Sequence, residues 1–204
     1  QAGAFITKDT TAPTVSQIQA WNWTLSSPGN GAISNDGTPV VSLGGAGPEN
    51  GGSIQVYDNI TCSSSKGISQ NIAGGATTHN DIGYLLDGSE DGVKAFYVVA
   101  TDSRGNVSSC ADISLGYTLD TTPATVTITG FSDITTANQG SYSISGTCSD
   151  NGEIVSANVG GVSAGILFCS GNAWSANGLN VGSLAEGNVT ITANHSDLAG
   201  NAAT

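Results

Sequence analysis

The residue types in this sequence able to do chemistry are its carboxylates, four cysteines and two histidines. One spacing recurs: Asp-x-x-Gly-Asn, at Asp102 in "TDSRGN" and at Asp197 in "SDLAGN", each time after a run of β-forming residues. By itself it is turn chemistry, in which the carboxylate accepts backbone N–H groups and the glycine supplies a left-handed residue. Joined by acids from other loops, the same carboxylates become the hard oxygen set that Ca²⁺ takes, roughly six to eight oxygens completed by carbonyls and water. The histidines, His79 and His195, lie far apart and neither shares a motif with a serine or cysteine nucleophile. With no such pair, and no phosphate-cradling loop opening a helix, the sequence offers no catalytic residues and predicts no enzyme.

Cys62 and Cys110 fall in one half of the chain, Cys148 and Cys169 in the other, without the CxxC or histidine spacing of a metal site. This arithmetic predicts two bridges, Cys62–Cys110 and Cys148–Cys169, formed in an oxidising compartment. The longer loop of the first gives it the larger expected contribution to stability.

Of the 204 residues, 38% are hydrophobic, enough for real cores, and only 10% are charged. Sixteen acids against four bases leave a net charge of −12, which repels a polyanion and excludes nucleic acid as a partner. The 29 glycines, with abundant Ser, Thr and Asn, suit short strands and many turns better than helices. No run approaches the ~18 consecutive apolar residues of a membrane span, so no membrane insertion is expected in this segment. Gln1 in place of an initiator methionine predicts a piece of a processed or longer chain.

The chain repeats itself. "KDTTAPTVSQI" at 8–18 matches "LDTTPATVTIT" at 119–129, and an Asp-x-x-Gly-Asn follows each opening, giving domains at 9–119 and 120–204. Period-two runs at 38–43, 52–58, 93–101 and 110–119, and then at 124–130, 140–148, 153–160, 165–170 and 187–196, read as strands separated by Asn-Gly and Asp-Gly turns. No helix of useful length is visible. The fold class is therefore all-β: two tandem immunoglobulin-like antiparallel β-sandwiches. The paired openings and the "TDSRGN" and "SDLAGN" loops resemble the bacterial immunoglobulin-like (Big) tandem repeats of large surface adhesins, over nearly the whole chain. That resemblance implies a non-enzymatic stalk or binding module of an exported bacterial protein, at the cell surface or outside the cell. It would mediate attachment through a host, prey or surface receptor or a glycan. A carbohydrate-binding module pair of a secreted protein is the alternative.

In such a sandwich the loops joining strands B to C and F to G share the end at which the chain enters. Asp120, Asp150 and Asp197 are thereby expected at one end of the second domain, with Asp87, Glu90 and Asp91 of "LLDGSEDG" opposite them, as a calcium site at the junction. Asp9, Glu49 and Asp102 hold the matching positions of the first domain as a second site. Trp21, Trp23 and Trp174 are candidates for stacking on sugar rings, set against packing in the core. Residues 1–8 look like the tail of a preceding repeat or a linker, and 120–204 looks short of its last strand. An open edge of that kind recruits another strand, which predicts head-to-tail self-association.

Overall fold

The computed structural model describes residues 4–44, 51–63, 70–71, 77–79 and 83–203. They form two compact units, Gln1–Asp120 and Thr121–Thr204. Both are all-β apart from one helical turn.

That turn, α1 (Val15–Gln19), falls within the repeated opening at 8–18, to which the sequence assigned no element. The cause is local. Thr14 and Gln17 form a capping box, Gln17 N–H donating to the Thr14 hydroxyl at 3.3 Å and the Gln17 side chain accepting from Thr14 N–H at 2.8 Å. The turn drives Ile18, fully buried, into the core.

Unit 1 continues with β1 (Trp23–Ser27), β2 (Ile33–Ser34), β3 (Val40–Leu43), β4 (Ser53–Tyr57), β5 (Gln70–Asn71), β6 (Thr77–His79), β7 (Gly92–Thr101) and β8 (Ala111–Leu119). One sheet runs β1-β3-β6 and the other β2-β8-β7-β4-β5, all antiparallel except the short β2–β8 pair. Alternation decides what is inside: Val41 and Leu43 from the first sheet meet Ile54, Val56, Phe96 and Val98 from the second in one core. Each such side chain contributes about 1.5–3 kcal/mol through burial.

Unit 2 holds β9 (Tyr142–Thr147), β10 (Ile154–Val159), β11 (Val162–Phe168), β12 (Ala173–Leu179) and β13 (Ile191–His195). Its sheets are β12-β9 and β11-β10-β13, closed over Tyr142, Ile144, Val155, Val159 and Trp174. The strand expected at 124–130 appears as isolated bridges from Val126 to Cys148 and from Gly130 to Ser145, with Thr127 and Thr129 N–H donating to the Thr147 and Ser145 carbonyls at 3.0 Å. Trp174 explains the interruption, because its indole N–H donates to the Thr127 carbonyl at 3.0 Å. Gly146 makes room for that contact, since a Cβ there would stand 1.7 Å from the same oxygen.

Both bridges are formed as paired from the sequence, Cys62–Cys110 and Cys148–Cys169, with Cα–Cα distances of 5.8 and 5.9 Å. Their surroundings differ. Cys148 and Cys169 are buried in the core of unit 2, whereas Cys62 and Cys110 are half-exposed. Loop entropy assigns about 4 kcal/mol to the first bridge and about 3 to the second, but replacing two buried sulfurs by alanine methyls adds about 1 kcal/mol each in lost packing. The Cys148→Ala/Cys169→Ala double variant is therefore expected to lower stability more than Cys62→Ala/Cys110→Ala. Denaturant melts of the two variants check the order, which reverses what loop length alone predicts.

Candidate functional site

The two Asp-x-x-Gly-Asn loops have the same internal geometry. Asp102 Oδ1 accepts from the N–H groups of Arg104 at 2.8 Å and Asn106 at 2.9 Å, and Oδ2 accepts from Asn106 Nδ2 at 2.8 Å. Asp197 Oδ1 accepts from Asn201 N–H at 2.8 Å and Oδ2 from Asn201 Nδ2 at 2.9 Å. Gly105 and Gly200 take φ of +89° and +95°, the left-handed conformation that lets the chain reverse within the loop. The amide of Asn106 leads in holding the Asp102 carboxyl below its ordinary range, and the backbone N–H groups add to it against the upward push of partial burial.

The other acids serve their own loops. Asp87 accepts from Ser89 N–H at 3.0 Å and from the Ser89 hydroxyl, which holds its carboxyl low. Glu90 accepts from Leu85 N–H at 2.5 Å, and Asp91 N–H donates to the Gly88 carbonyl at 3.3 Å. Asp9 accepts from Thr11 N–H at 3.0 Å, while its carbonyl accepts from Asn106 Nδ2 at 3.4 Å, so the start of unit 1 does lie against the Asp102 loop. Asp120 N–H donates to the Ser34 carbonyl at 3.0 Å and Asp150 accepts from the Ser149 hydroxyl. Glu49 lies outside the described residues. Among the described residues no three His, Cys, Asp or Glu side chains gather closely enough to hold a metal ion.

His195 is buried rather than solvated. Asp150 N–H donates to its Nε2 at 3.3 Å and its Nδ1 faces the Ile154 carbonyl at 3.0 Å, so the proton sits on Nδ1 and both ring nitrogens are occupied structurally. Asp150 Oδ2 lies 3.6 Å from Nε2, beyond hydrogen-bond length. This is a brace between the turn carrying Asp150 and β13.

Trp23 and Trp174 are core residues, their indole N–H groups donating to Ile18 and Thr127 carbonyls at 2.8 and 3.0 Å. Their faces are closed to a sugar ring. Trp21 packs half-buried against the unit 1 core, 6.2 Å from the Trp23 ring.

Sequence reasoning missed a groove of about 680 Å³ in unit 2, of mixed character, lined by Ile128, Phe131, Ile134, Tyr142, Val189 and Ile191 together with Ser132, Asp133 and Asn188. "GFSDITT" carries no period-two signal, and only the fold brings it against β13.

No known protein-family profile matches the chain, and no curated protein does. Similar solved structures include the fibronectin(III)-like modules of Clostridium thermocellum CbhA, at 18% identity and a TM-score of 0.48 over 90% of both chains. A 1.5-MDa bacterial ice-binding adhesin gives 17% and 0.47, over 88% of this chain and 59% of that one. A Ca²⁺-stabilized adhesin of an Antarctic bacterium gives 19% and 0.41, over 80% and 44%. This chain thus spans less than two thirds of either adhesin structure.

Because the Asp197 carboxylate accepts two bonds from Asn201 and so ties the two ends of its loop, Asp197→Ala is expected to cost about 1–3 kcal/mol, read from urea melts at neutral pH. Asp102 adds a pH signature: its folded-state pKa is depressed, so its stabilisation is full above the unfolded value of ~3.9 and is lost as pH falls through the folded value. Melting temperature measured downward from about pH 5 should fall less steeply in Asp102→Asn than in the parent chain.

Proposed function

We propose that this chain is a non-enzymatic stalk or binding module of an exported bacterial adhesin-like surface protein, mediating attachment to a cell or surface. The observation that carries the reading is the doubled closure: two sandwich units, each stapled by one disulfide and locked by the same Asp-x-x-Gly-Asn loop. Repetition of a small stapled unit gives length and resistance to pulling, and two disulfides fit an oxidising, extracellular compartment. Among the described residues no helix is long and apolar enough to cross a membrane.

Single-molecule pulling tests the stalk. Each unit is expected to give its own force peak, with the bridges withholding lengths of about 170 Å and about 75 Å, at ~3.5 Å per residue, for sequence separations of 48 and 21. Reduction should release both lengths, and a chain that extends without force peaks is no stalk. Glycan-array binding abolished by Trp21→Ala would turn the reading to the carbohydrate-binding pair, since of the three indoles Trp21 alone keeps partial exposure.

Calcium belongs to this proposal through the charge of −12, which a divalent cation offsets. Calorimetric titration with Ca²⁺ is expected to show binding that Asp120→Asn, Asp150→Asn and Asp197→Asn weaken, together with Asp87→Asn, Glu90→Gln or Asp91→Asn. A flat titration, with a maximum dimension in small-angle scattering unchanged by EDTA, removes the cation.

A further inference from the structure

The two disulfides differ in what a nucleophile can reach. Cys148 and Cys169, 4% and 2% exposed, lie in the core cluster of unit 2 with Ile144, Val155 and Trp174. Cys62 and Cys110 are half-exposed and stand outside the core of unit 1. A thiolate breaks a disulfide by reaching one of its sulfurs directly, so access decides which bridge exchanges, and exposed bridges are the labile ones. Burial closes that approach at Cys148–Cys169. The Cys62–Cys110 bridge is open to it.

The backbone at Cys62 adds a second reason. Its φ of +48° lies in the left-handed region, where a residue with a Cβ is strained and only glycine is at ease. Asn59 holds the turn: its carbonyl accepts from Cys62 N–H at 3.1 Å, and its Oδ1 accepts from the Thr61 hydroxyl at 2.8 Å and from Ser63 N–H at 3.1 Å. Opening the bridge removes the covalent one of the two constraints on Cys62 and leaves the hydrogen-bonded one. On the other side, Cys110 directly precedes β8, whose buried Ala111 pairs with Val98 of β7. Neither anchor depends on a sulfur. Unit 1 therefore keeps its fold with the bridge open, and the two cysteines stay near one another.

We propose that Cys62–Cys110 is a thiol-exchange site, which takes a small thiol covalently while the chain stays folded. The thiolate attacks one sulfur of the bridge. A bond between the incoming sulfur and that one forms as the Cys62–Cys110 bond breaks, and the electron pair of the broken bond leaves on the other cysteine, which takes a proton from water. One disulfide and one thiol give one mixed disulfide and one thiol, with no net oxidation or reduction and no further reactant. The freed cysteine, held close by, expels the bound thiol in the reverse step, so occupancy rises with thiol concentration. A net charge of −12 favours a neutral or cationic thiol over an anionic one. The proposal is independent of what the chain attaches to.

The probe is cysteamine, a small cationic thiol, added to the 204-residue chain in oxygen-free buffer and quenched with iodoacetamide. The chain has no free cysteine, so every protein thiol trapped by the quench comes from an opened bridge. At early times, peptide mapping is expected to find one cysteine of the Cys62–Cys110 pair carrying cysteamine and the other carbamidomethylated, in an amount that grows with cysteamine concentration. Cys148–Cys169 should remain intact, and the near-ultraviolet circular dichroism of the buried Trp23 and Trp174 should keep its native shape. A Cys62–Cys110 bridge that takes up no cysteamine, a Cys148–Cys169 bridge that opens as readily, or loss of the native spectrum in step with adduct formation would each overturn the proposal.

Discussion

A carboxylate that accepts hydrogen bonds across its own five-residue loop fixes where the chain turns back, and the register of everything after it. In unit 1 the Asp102 loop sets Ser108 on Ala100, and from that first bond β8 runs along β7 in a register that buries Ala111, Ile113, Tyr117 and Leu119. Shift the loop by one residue and those side chains would point to solvent while their polar neighbours faced the core. The same loop in unit 2 sets Ala203 on His195. The recurring acid is thus a register device first, and the geometry that makes it one occupies both its oxygens.

That occupation bears on the electrostatics of the chain. Sixteen acids in a chain with four bases look like a cation trap when read along the sequence. In the fold, Asp36, Asp87, Asp102 and Asp197 each accept from groups one to five positions away or from a facing strand, so the charge is held by local hydrogen bonds. Their dispersal over separate loops keeps like charges apart, and a surface of this sign resists non-specific association. Apolar side chains exposed among the described residues include Phe5 and Ile6 in the leading segment, Leu85, Leu86 and Val93 further along unit 1, and Phe131, Ile166 and Phe168 in unit 2.

Aromatic side chains show how the same residue type serves different ends. Trp23 and Trp174 each bury a ring and satisfy the indole N–H on a backbone carbonyl, a combination that locks orientation as well as filling volume. Trp174 does so at a cost to the ladder, taking the Thr127 carbonyl and requiring a glycine at 146. His195 follows the same logic with two bonds, tying the Asp150 turn to β13.

The sequence alone determined the all-β class, the two disulfide pairs and the loops at Asp102 and Asp197, because each rests on short-range signals: period-two alternation, two-by-two cysteines, and a turn whose bonds span at most four residues. The limits of β3, β4, β7, β8, β9 and β10 were legible for the same reason, whereas β1 and β12 were not read as strands. Three things were decided only in three dimensions. The helical turn at Val15–Gln19 depends on a capping box that outweighs the β-branched pattern once Ile18 has a core to enter. The fate of the tryptophans depended on which carbonyls stood opposite them, 5 residues away for Trp23 and 47 for Trp174. The groove exists because residues 131–134, without strand periodicity, are carried by the fold to face Val189 and Ile191 more than fifty residues later, a juxtaposition no local pattern encodes.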